Sequence, residues 1–209
     1  MATTEKQKET KLEKSASSAK KTNVKRLVLS AILIGMATVL SLIKVYQLPL
    51  GGSITLLSML PIALISIEYG IKWGLVSSFT YSLIQFGLGI GEGLFGWGLT
   101  PLALIGCIAL DYILAYSSLG VAGIFRKKGT PGIIAGVALA VVMRFVFHLL
   151  SGALIFDIWM PEEWSNPWLY SLVYNGSYML PELVFTMIGS VALFKAPQFA
   201  KIVESNLED

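Results

Sequence analysis

The most constraining feature of the sequence is a series of long apolar runs separated by short polar or glycine- and proline-containing connections. A helix that crosses the hydrocarbon core of a bilayer needs about 20 apolar residues, and most of these runs approach or exceed that length. The chain is 55% hydrophobic and only 14% charged, whereas a soluble domain has about 25% charged residues. We therefore predict an all-α membrane protein, a bundle of six transmembrane helices, over residues 27–46, 54–68, 71–90, 101–125, 132–156 and 168–194.

The charges of the connections predict the orientation of this bundle. Basic residues of membrane proteins concentrate in cytoplasmic connections. The N-terminal segment and every second connection of this chain are basic, and the remaining connections are acidic or neutral, with Lys44 as the exception. This alternation predicts that both termini are cytoplasmic. The charges behind it are basic at Lys72, Arg126, Lys127, Lys128 and Lys195, and acidic at Glu92, Asp157, Glu162 and Glu163.

The two ends of the chain differ from its middle. Residues 1–26 contain eight basic residues and three glutamates with only isolated apolar side chains. Such a segment buries too little apolar surface to fold, so we predict a disordered, basic cytoplasmic tail. Its lysines either face water or touch anionic lipid headgroups. Residues 27–195 then form the transmembrane domain, and residues 196–209 form a short cytoplasmic C-terminal tail.

Few residues are suited to catalysis or to metal binding. One cysteine, Cys107, and one histidine, His148, exclude an intramolecular disulfide and a cluster of cysteine and histidine ligands for zinc. The sequence also lacks a Walker motif, so the chain does not hydrolyse ATP by itself. We predict no metal, no cofactor and no nucleic-acid partner.

Four ionisable side chains lie at membrane depth, where an unpaired charge costs several kcal/mol. With a rise of about 1.5 Å per residue, Asp111 and His148 lie about 10–15 Å from the outer ends of their helices. Arg144 and Glu182 lie deeper, at about 18–21 Å. Two pairings are possible. Either Arg144 pairs with Glu182, which leaves Asp111 for a cationic ligand, or Arg144 pairs with Asp111 and no ligand is involved.

The last apolar run carries the motif Tyr170-Ser-Leu-Val-Tyr-Asn175-Gly-Ser-Tyr-Met-Leu-Pro-Glu182. This motif resembles the last-helix signature of the ThiT family, the thiamine-specific substrate-binding (S) components of energy-coupling factor (ECF) transporters. Similar segments occur in the same order over essentially the whole chain after the tail. They are Pro49-Leu-Gly51-Gly52-Ser53, Leu110-Asp111-Tyr112-Ile-Leu-Ala-Tyr and Arg144-Phe-Val-Phe-His148-Leu-Leu-Ser-Gly152.

The resemblance implies a deep, outward-facing thiamine pocket and a protein that is not an enzyme. The tryptophan that the family carries in the fifth helix falls on Phe156 in this chain, with Trp159 three residues further on, and either ring could stack on the ligand. An aromatic face attracts a cation such as the thiazolium, and an asparagine can hydrogen-bond an aminopyrimidine. The implied thiamine-binding residues are Asp111, Tyr112, Arg144, His148, Phe156, Trp159, Tyr170 and Asn175.

The resemblance also implies partners in the bacterial cytoplasmic membrane. An S component works with a transmembrane coupling protein (the T component) and two ATPase subunits, which drive uptake. Ala31 and Gly35 form a small-xxx-small pair that matches the Ala-xxx-Ala contact of the family for the coupling protein. Small residues let helices approach closely in lipid, so the same pair could instead pack inside the bundle.

Three other functions remain open at this point. An S component could bind another vitamin, such as riboflavin or biotin. Asp111, His148 and Glu182 could belong to an intramembrane hydrolase or a metal site, although motifs such as His-Glu-xx-His are absent. A proton-coupled carrier that works without an ATPase is the third alternative.

Overall fold

A computed structural model describes residues 23–197, and it is mostly helical. The predicted tails at 1–26 and 196–209 lie outside the described residues, apart from 23–26 and 196–197. The first helix, α1, already includes Asn23, the first described residue, and so extends further toward the N-terminus than the predicted residue 27. The helices are α1 (Asn23–Leu42), α2 (Leu60–Tyr69), α3 (Ile71–Gly91), α5 (Gly129–Leu154) and α6 (Pro167–Lys195), and α4 is the continuous helical segment composed of Pro101–Cys107, Ile108–Leu114, Ala115–Ser117 and Ser118–Gly123.

Helices of the described residues are long and apolar enough to cross a membrane. Three stretches meet this criterion, namely Asn23–Leu42, Pro101–Leu154 and Pro167–Lys195. The second stretch contains both α4 and α5, which are joined by a short turn at Arg126–Lys128. The prediction of a helical protein with membrane-spanning helices is therefore confirmed.

The connection between α1 and α2 is a β-hairpin, which the all-α prediction did not include. Strand β1 (Lys44–Gln47) pairs antiparallel with β2 (Ser53–Thr55). Residues 43–46 and 54–59, predicted as helix ends, are thus not helical. Their β-branched and aromatic side chains favour strands, and the two glycines between the strands allow the tight return, with Gly51 at a φ of 95°.

The short helix α2 lies in the centre of the bundle. All residues from Pro61 to Glu68 are buried, and a helix that is apolar on every side must be surrounded by other elements. Its side chains join both hydrophobic clusters of the core. Gly70, at a φ of 87°, joins α2 directly to α3, so these two runs form a helical hairpin.

Small residues allow α2, α3 and α4 to pack closely. A Cβ atom on Gly74, Gly120 or Gly123 would lie less than 3.0 Å from atoms of a neighbouring helix. The Ser66 hydroxyl donates to the Gly120 carbonyl oxygen at 2.5 Å and accepts from the Gly123 backbone N–H at 2.9 Å. Close backbone approach of this kind is typical of helix packing in membranes.

Helix α1 lies at the periphery of the bundle. Ala37 is fully buried against the core, whereas Ala31 and Gly35 are exposed. No atom of a described residue lies within 4 Å of the position that a Cβ on Gly35 would occupy. The pair therefore does not pack inside the bundle, which removes one of the two interpretations of this motif.

Arg126 holds together the end of the bundle opposite the hairpin. Its guanidinium donates to the backbone carbonyl oxygens of Ile67 and Glu68 at 3.2 and 2.7 Å, which satisfies the C-terminal end of α2. Partial burial, and then the positive charge of Arg26, lower the pKa of Arg126. The group remains charged, because an arginine keeps its proton in proteins.

Candidate functional site

A cavity of about 170 Å³ lies between the hairpin and helices α3 to α6. Three connections meet beside it: the hairpin, the α3–α4 connection and the α5–α6 connection. A Cβ on Gly51 in the hairpin would lie 3.8 Å from the ring of Trp97, and the rings of Trp97 and Phe156 are 5.7 Å apart, edge to face. Seven of the eight predicted ligand-binding residues line this cavity: Asp111, Tyr112, Arg144, His148, Phe156, Tyr170 and Asn175.

A π-helical segment in α4 brings several side chains to the cavity together. Cys107, Asp111, Tyr112 and Tyr116 all line it, and residues Ile108–Leu114 form a π-helix. In a regular α-helix, with about 100° per residue, Cys107 and Tyr116 would point in opposite directions. A π-helix turns by roughly 80° per residue, so these seven residues bring all four side chains within about a quarter turn.

The Asp111 carboxylate is hydrogen-bonded but forms no ion pair with an arginine or a lysine of residues 23–197. One oxygen lies 2.8 Å from His148 Nδ1 and the other accepts from the Ser151 hydroxyl. Arg144 Nε donates to His148 Nε2 at 3.2 Å, so Nε2 carries no proton and Nδ1 must carry one. In this tautomer His148 is neutral, and it donates its Nδ1 proton to the Asp111 carboxylate.

Arg144 forms neither of the two pairs that the sequence suggested. Within residues 23–197 it makes no ion pair with Glu182 or with Asp111. Its guanidinium carbon instead lies 4.3 Å from the centre of the Tyr116 ring, and a desolvated cation–π contact of this kind contributes about 2 kcal/mol. The predicted pairing with Glu182 is wrong: no such ion pair forms in the described residues, and one oxygen of that carboxylate instead accepts hydrogen bonds from the hairpin.

Glu182 anchors the hairpin to α6. One carboxylate oxygen accepts hydrogen bonds from the backbone N–H of Thr55 and from its hydroxyl, the latter at 2.6 Å. The Thr55 hydroxyl also lies 2.6 Å from that of Ser58. The other carboxylate oxygen is buried and has no hydrogen-bond partner in the described residues. Glu182 thus ties the first connection to the deep part of the cavity.

Aromatic side chains form much of the remaining lining. Tyr170, Tyr174 and Tyr178 follow one another at intervals of four residues along α6, with neighbouring ring centres 6.0 Å apart. Trp97 lines the cavity, but Trp159 does not and is 48% exposed. Trp159 thus lies apart from the other seven predicted residues, and its role in ligand binding stays a prediction. Trp159 lies in the turn after α5, three residues beyond Phe156.

Asn175 is held by hydrogen bonds within α6 and by one hydrogen bond to α5. Its amide nitrogen donates to the carbonyl oxygens of His148 and Ser171 at 3.2 and 3.0 Å, and its carbonyl oxygen accepts from the Tyr178 hydroxyl at 2.7 Å. A Cβ on Gly152 would lie 3.0 Å from the Asn175 nitrogen. Asn175 lines the cavity, yet only a lone pair of its side-chain oxygen remains for a ligand.

Two contacts that sequence reasoning missed fasten the connections to the bundle. The Tyr174 hydroxyl donates to the Pro49 carbonyl oxygen and accepts from the Gly52 N–H at 3.1 Å. Lys44 forms an ion pair with Glu92 at 2.6 Å, which neutralises the basic residue that stood out against the charge alternation. The spacing of Tyr174 from Tyr170, four residues, was the available signal for its place on the cavity face.

The chemistry of the cavity suits a flat, positively charged ligand. A carboxylate with neutral hydrogen-bond partners attracts a cation, and the surrounding rings provide faces for stacking and for cation–π contacts. Asp111, His148 and Glu182, which were considered as an enzymatic or metal site, do not form one cluster. The described residues contain no group of three or more histidine, cysteine or acidic side chains that could hold a metal ion.

Comparison with known proteins places the chain in a family. Residues 27–201 match the family model described as thiamine transporter protein. The chain is 31% identical to the thiamine transporter ThiT of Bacillus subtilis, over 84% of this chain and 94% of the relative. It is 27% identical to ThiT of Lacticaseibacillus paracasei, over 67% of this chain and 73% of the relative.

A solved structure has the same fold. ThiT from Listeria monocytogenes superimposes with a TM-score of 0.66 at 25% identity, over 85% of this chain and 97% of the other. The match of the family model, the identity to the Bacillus relative and the similarity of the fold agree with one another. The chain belongs to the thiamine transporter family.

Proposed function

We propose that this protein is the thiamine-binding S component of an ECF-type transporter and that it captures thiamine from outside the cell. The single observation that carries the proposal is the Asp111 carboxylate, which lines the cavity with only neutral hydrogen-bond partners. Thiamine bears a permanent positive charge on its thiazolium ring. A partly buried carboxylate that forms no ion pair with a described arginine or lysine is the group expected to select such a ligand.

The residues around Asp111 supply the other contacts in this proposal. The thiazolium lies near Asp111 and the aromatic rings of Tyr112, Phe156 and Trp97, which provide faces for a cation. The aminopyrimidine lies toward Tyr170 and Asn175 on α6. His148 and Arg144 hold the carboxylate in place, since they form a hydrogen-bonded chain that ends at Asp111.

The charges of the two ends of the bundle support an outward-facing cavity. In this proposal six helices span the cytoplasmic membrane, with both termini inside. The hairpin end carries Glu92 and the acidic α5–α6 connection, while Arg126, Lys127 and Lys128 lie in the α4–α5 connection at the other end. Basic connections face the cytoplasm, so the cavity opens to the outside.

Uptake in this proposal requires partner subunits. The sequence has no ATP-binding motif, so a transmembrane coupling protein and two ATPase subunits would drive release of thiamine inside the cell. The exposed pair Ala31 and Gly35 on α1 offers a surface on which another helix can pack closely. This surface is the proposed contact for the coupling protein.

The proposal is tested by titrating the purified protein with thiamine, riboflavin and biotin while intrinsic tryptophan fluorescence is recorded. We expect saturable one-to-one quenching by thiamine and none by the other vitamins. Uptake into vesicles is then measured with and without the coupling protein, the ATPase subunits and ATP. Tight binding of riboflavin or biotin instead of thiamine would contradict the ligand, and uptake without any partner would contradict the ECF assignment.

A further inference from the structure

Helix α3 contributes a buried amide to the cavity wall that the sequence did not single out. Gln85 lines the cavity and is buried. Its amide nitrogen donates to the Ser41 hydroxyl at 2.9 Å and to the Tyr81 hydroxyl at 2.7 Å. Both hydrogens of the amide group are therefore used in contacts with α1 and with α3 itself.

The protons of these two hydroxyls fix the orientation of the amide. The Ser41 hydroxyl donates its proton to the Thr38 carbonyl oxygen at 2.7 Å, and the Tyr81 hydroxyl donates to the Ala37 carbonyl oxygen at 3.4 Å. A hydroxyl has only one proton, so both oxygens can only accept from Gln85. A flipped amide would require both hydroxyls to give up their bonds to the backbone carbonyl oxygens, so the orientation with the nitrogen toward the hydroxyls satisfies more groups.

The carbonyl oxygen of Gln85 is the part of this side chain that remains for a ligand. It has no hydrogen bond to another described residue. Unlike Glu182 Oε2, which is fully buried without a partner, the Gln85 oxygen is not fully buried. We propose that this oxygen accepts a hydrogen bond from an N–H or O–H group of the bound ligand and that Gln85 is a specificity-determining residue. This inference rests on the proposed function and adds a contact to the same site.

A fixed acceptor discriminates between ligands more sharply than a rotatable group does. A ligand that presents an acceptor or an apolar group to Gln85 leaves a desolvated carbonyl without a partner. Thiamine has two groups that can donate, the exocyclic amino group of the pyrimidine and the terminal hydroxyl. Both present the same chemistry to Gln85, and analogues that lack one or the other distinguish them.

The test compares Gln85→Met with the unmodified protein, using thiamine, a thiamine analogue without the amino group and an analogue without the hydroxyl. We expect Gln85→Met to weaken thiamine binding about tenfold, the loss of one partly buried hydrogen bond. We expect one of the two analogues to bind the unmodified protein about tenfold more weakly than thiamine does. The Gln85→Met variant should bind that analogue and thiamine equally tightly. Such coupling assigns the donor to the missing group.

Leu83→Met is the matched control, because Leu83 lies on α3 but is 47% exposed on the outer surface. It is expected to leave all three affinities unchanged, and thermal unfolding of each variant checks its fold. Absence of coupling with both analogues overturns the inference. If Gln85→Met does not fold, Gln85→Asn replaces it. The inference is also overturned, without any variant, if the unmodified protein binds all three ligands equally well. Lack of thiamine binding by the unmodified protein would instead refute the proposed function.

Discussion

Asp111→Asn is the sharpest test of how the cavity selects its ligand. The substitution removes a charge and almost nothing else. The asparagine oxygen can accept from His148 Nδ1 as the carboxylate does, and the asparagine nitrogen can donate to the Ser151 hydroxyl, which then accepts instead of donating. The hydrogen-bonded network around position 111 is therefore kept.

The size of the effect follows from the lack of any arginine or lysine ion-paired with Asp111 in the part of the chain that the structure describes. A ligand cation about 4–5 Å from the carboxylate, at an effective dielectric constant of about 20, interacts by about 3–4 kcal/mol. Removal of the charge should thus weaken thiamine binding by about 10²- to 10³-fold. A neutral analogue, in which an uncharged ring of the same size replaces the thiazolium, should lose less than about tenfold.

These losses of affinity are measured by titrating each variant with both ligands while its tryptophan fluorescence is recorded. Ser151→Ala is the matched control, because it removes a hydrogen bond to Asp111 without changing any charge. It is expected to weaken both ligands by a similar, small factor. If Asp111→Asn weakens thiamine and its neutral analogue equally, the carboxylate does not recognise the ligand charge, and the electrostatic reasoning is refuted.

Three further substitutions test other parts of the molecule. Gly89→Ala places a Cβ 2.2 Å from the Tyr112 hydroxyl, so the tyrosine ring must move; we expect thiamine affinity to fall at least tenfold in the same titration. Trp97→Phe removes the tryptophan that lines the cavity, and we expect most of the ligand-induced fluorescence change to disappear. Gly35→Trp adds a large ring on the exposed face of α1, and we expect it to leave thiamine binding intact while it abolishes uptake into vesicles that contain the partner subunits.

Each of these substitutions has a control of the same kind elsewhere in the chain. Gly87→Ala lies on the same helix where nothing is within 4 Å, so an equal loss of affinity would show that α3 tolerates no alanine at all. Trp159→Phe should keep the fluorescence change, and its loss would mean that the signal does not come from the cavity. Leu102→Trp introduces the same ring at a position on another surface, where the side chain is 81% exposed. If this variant also abolished uptake, the loss would be a general effect of a large exposed ring.

The helices were predictable because the bilayer imposes a length and a composition on them. The same criterion failed between α1 and α2, where residues 43–46 and 54–59 are apolar but pair as strands or form turns. Apolar content alone does not separate the two conformations in so short a stretch. The β-branched residues and the glycines at 51 and 52 were the signals for a hairpin.

The candidate site was predictable in its depth but not in its pairings. The rise per residue placed Arg144 and Glu182 at similar heights, but height says nothing about which element lies between two helices. The hairpin takes the Glu182 carboxylate through Thr55, and Arg144 turns to Tyr116. Trp97 was not predicted as a site residue because a connection of unknown path gives no position for its side chains.

The π-helical turn in α4 makes the number of residues between Cys107 and Tyr116 as important as their identity. Exchange of one lipid-facing side chain in this stretch for another of similar size leaves the backbone path unchanged. Deletion of a single residue allows the segment to relax to an ordinary α-helix, and everything on one side of the deletion then rotates relative to the other. The carboxylate and the tyrosines would no longer converge. Over evolution, the residue types in this segment can therefore vary, whereas the number of residues cannot.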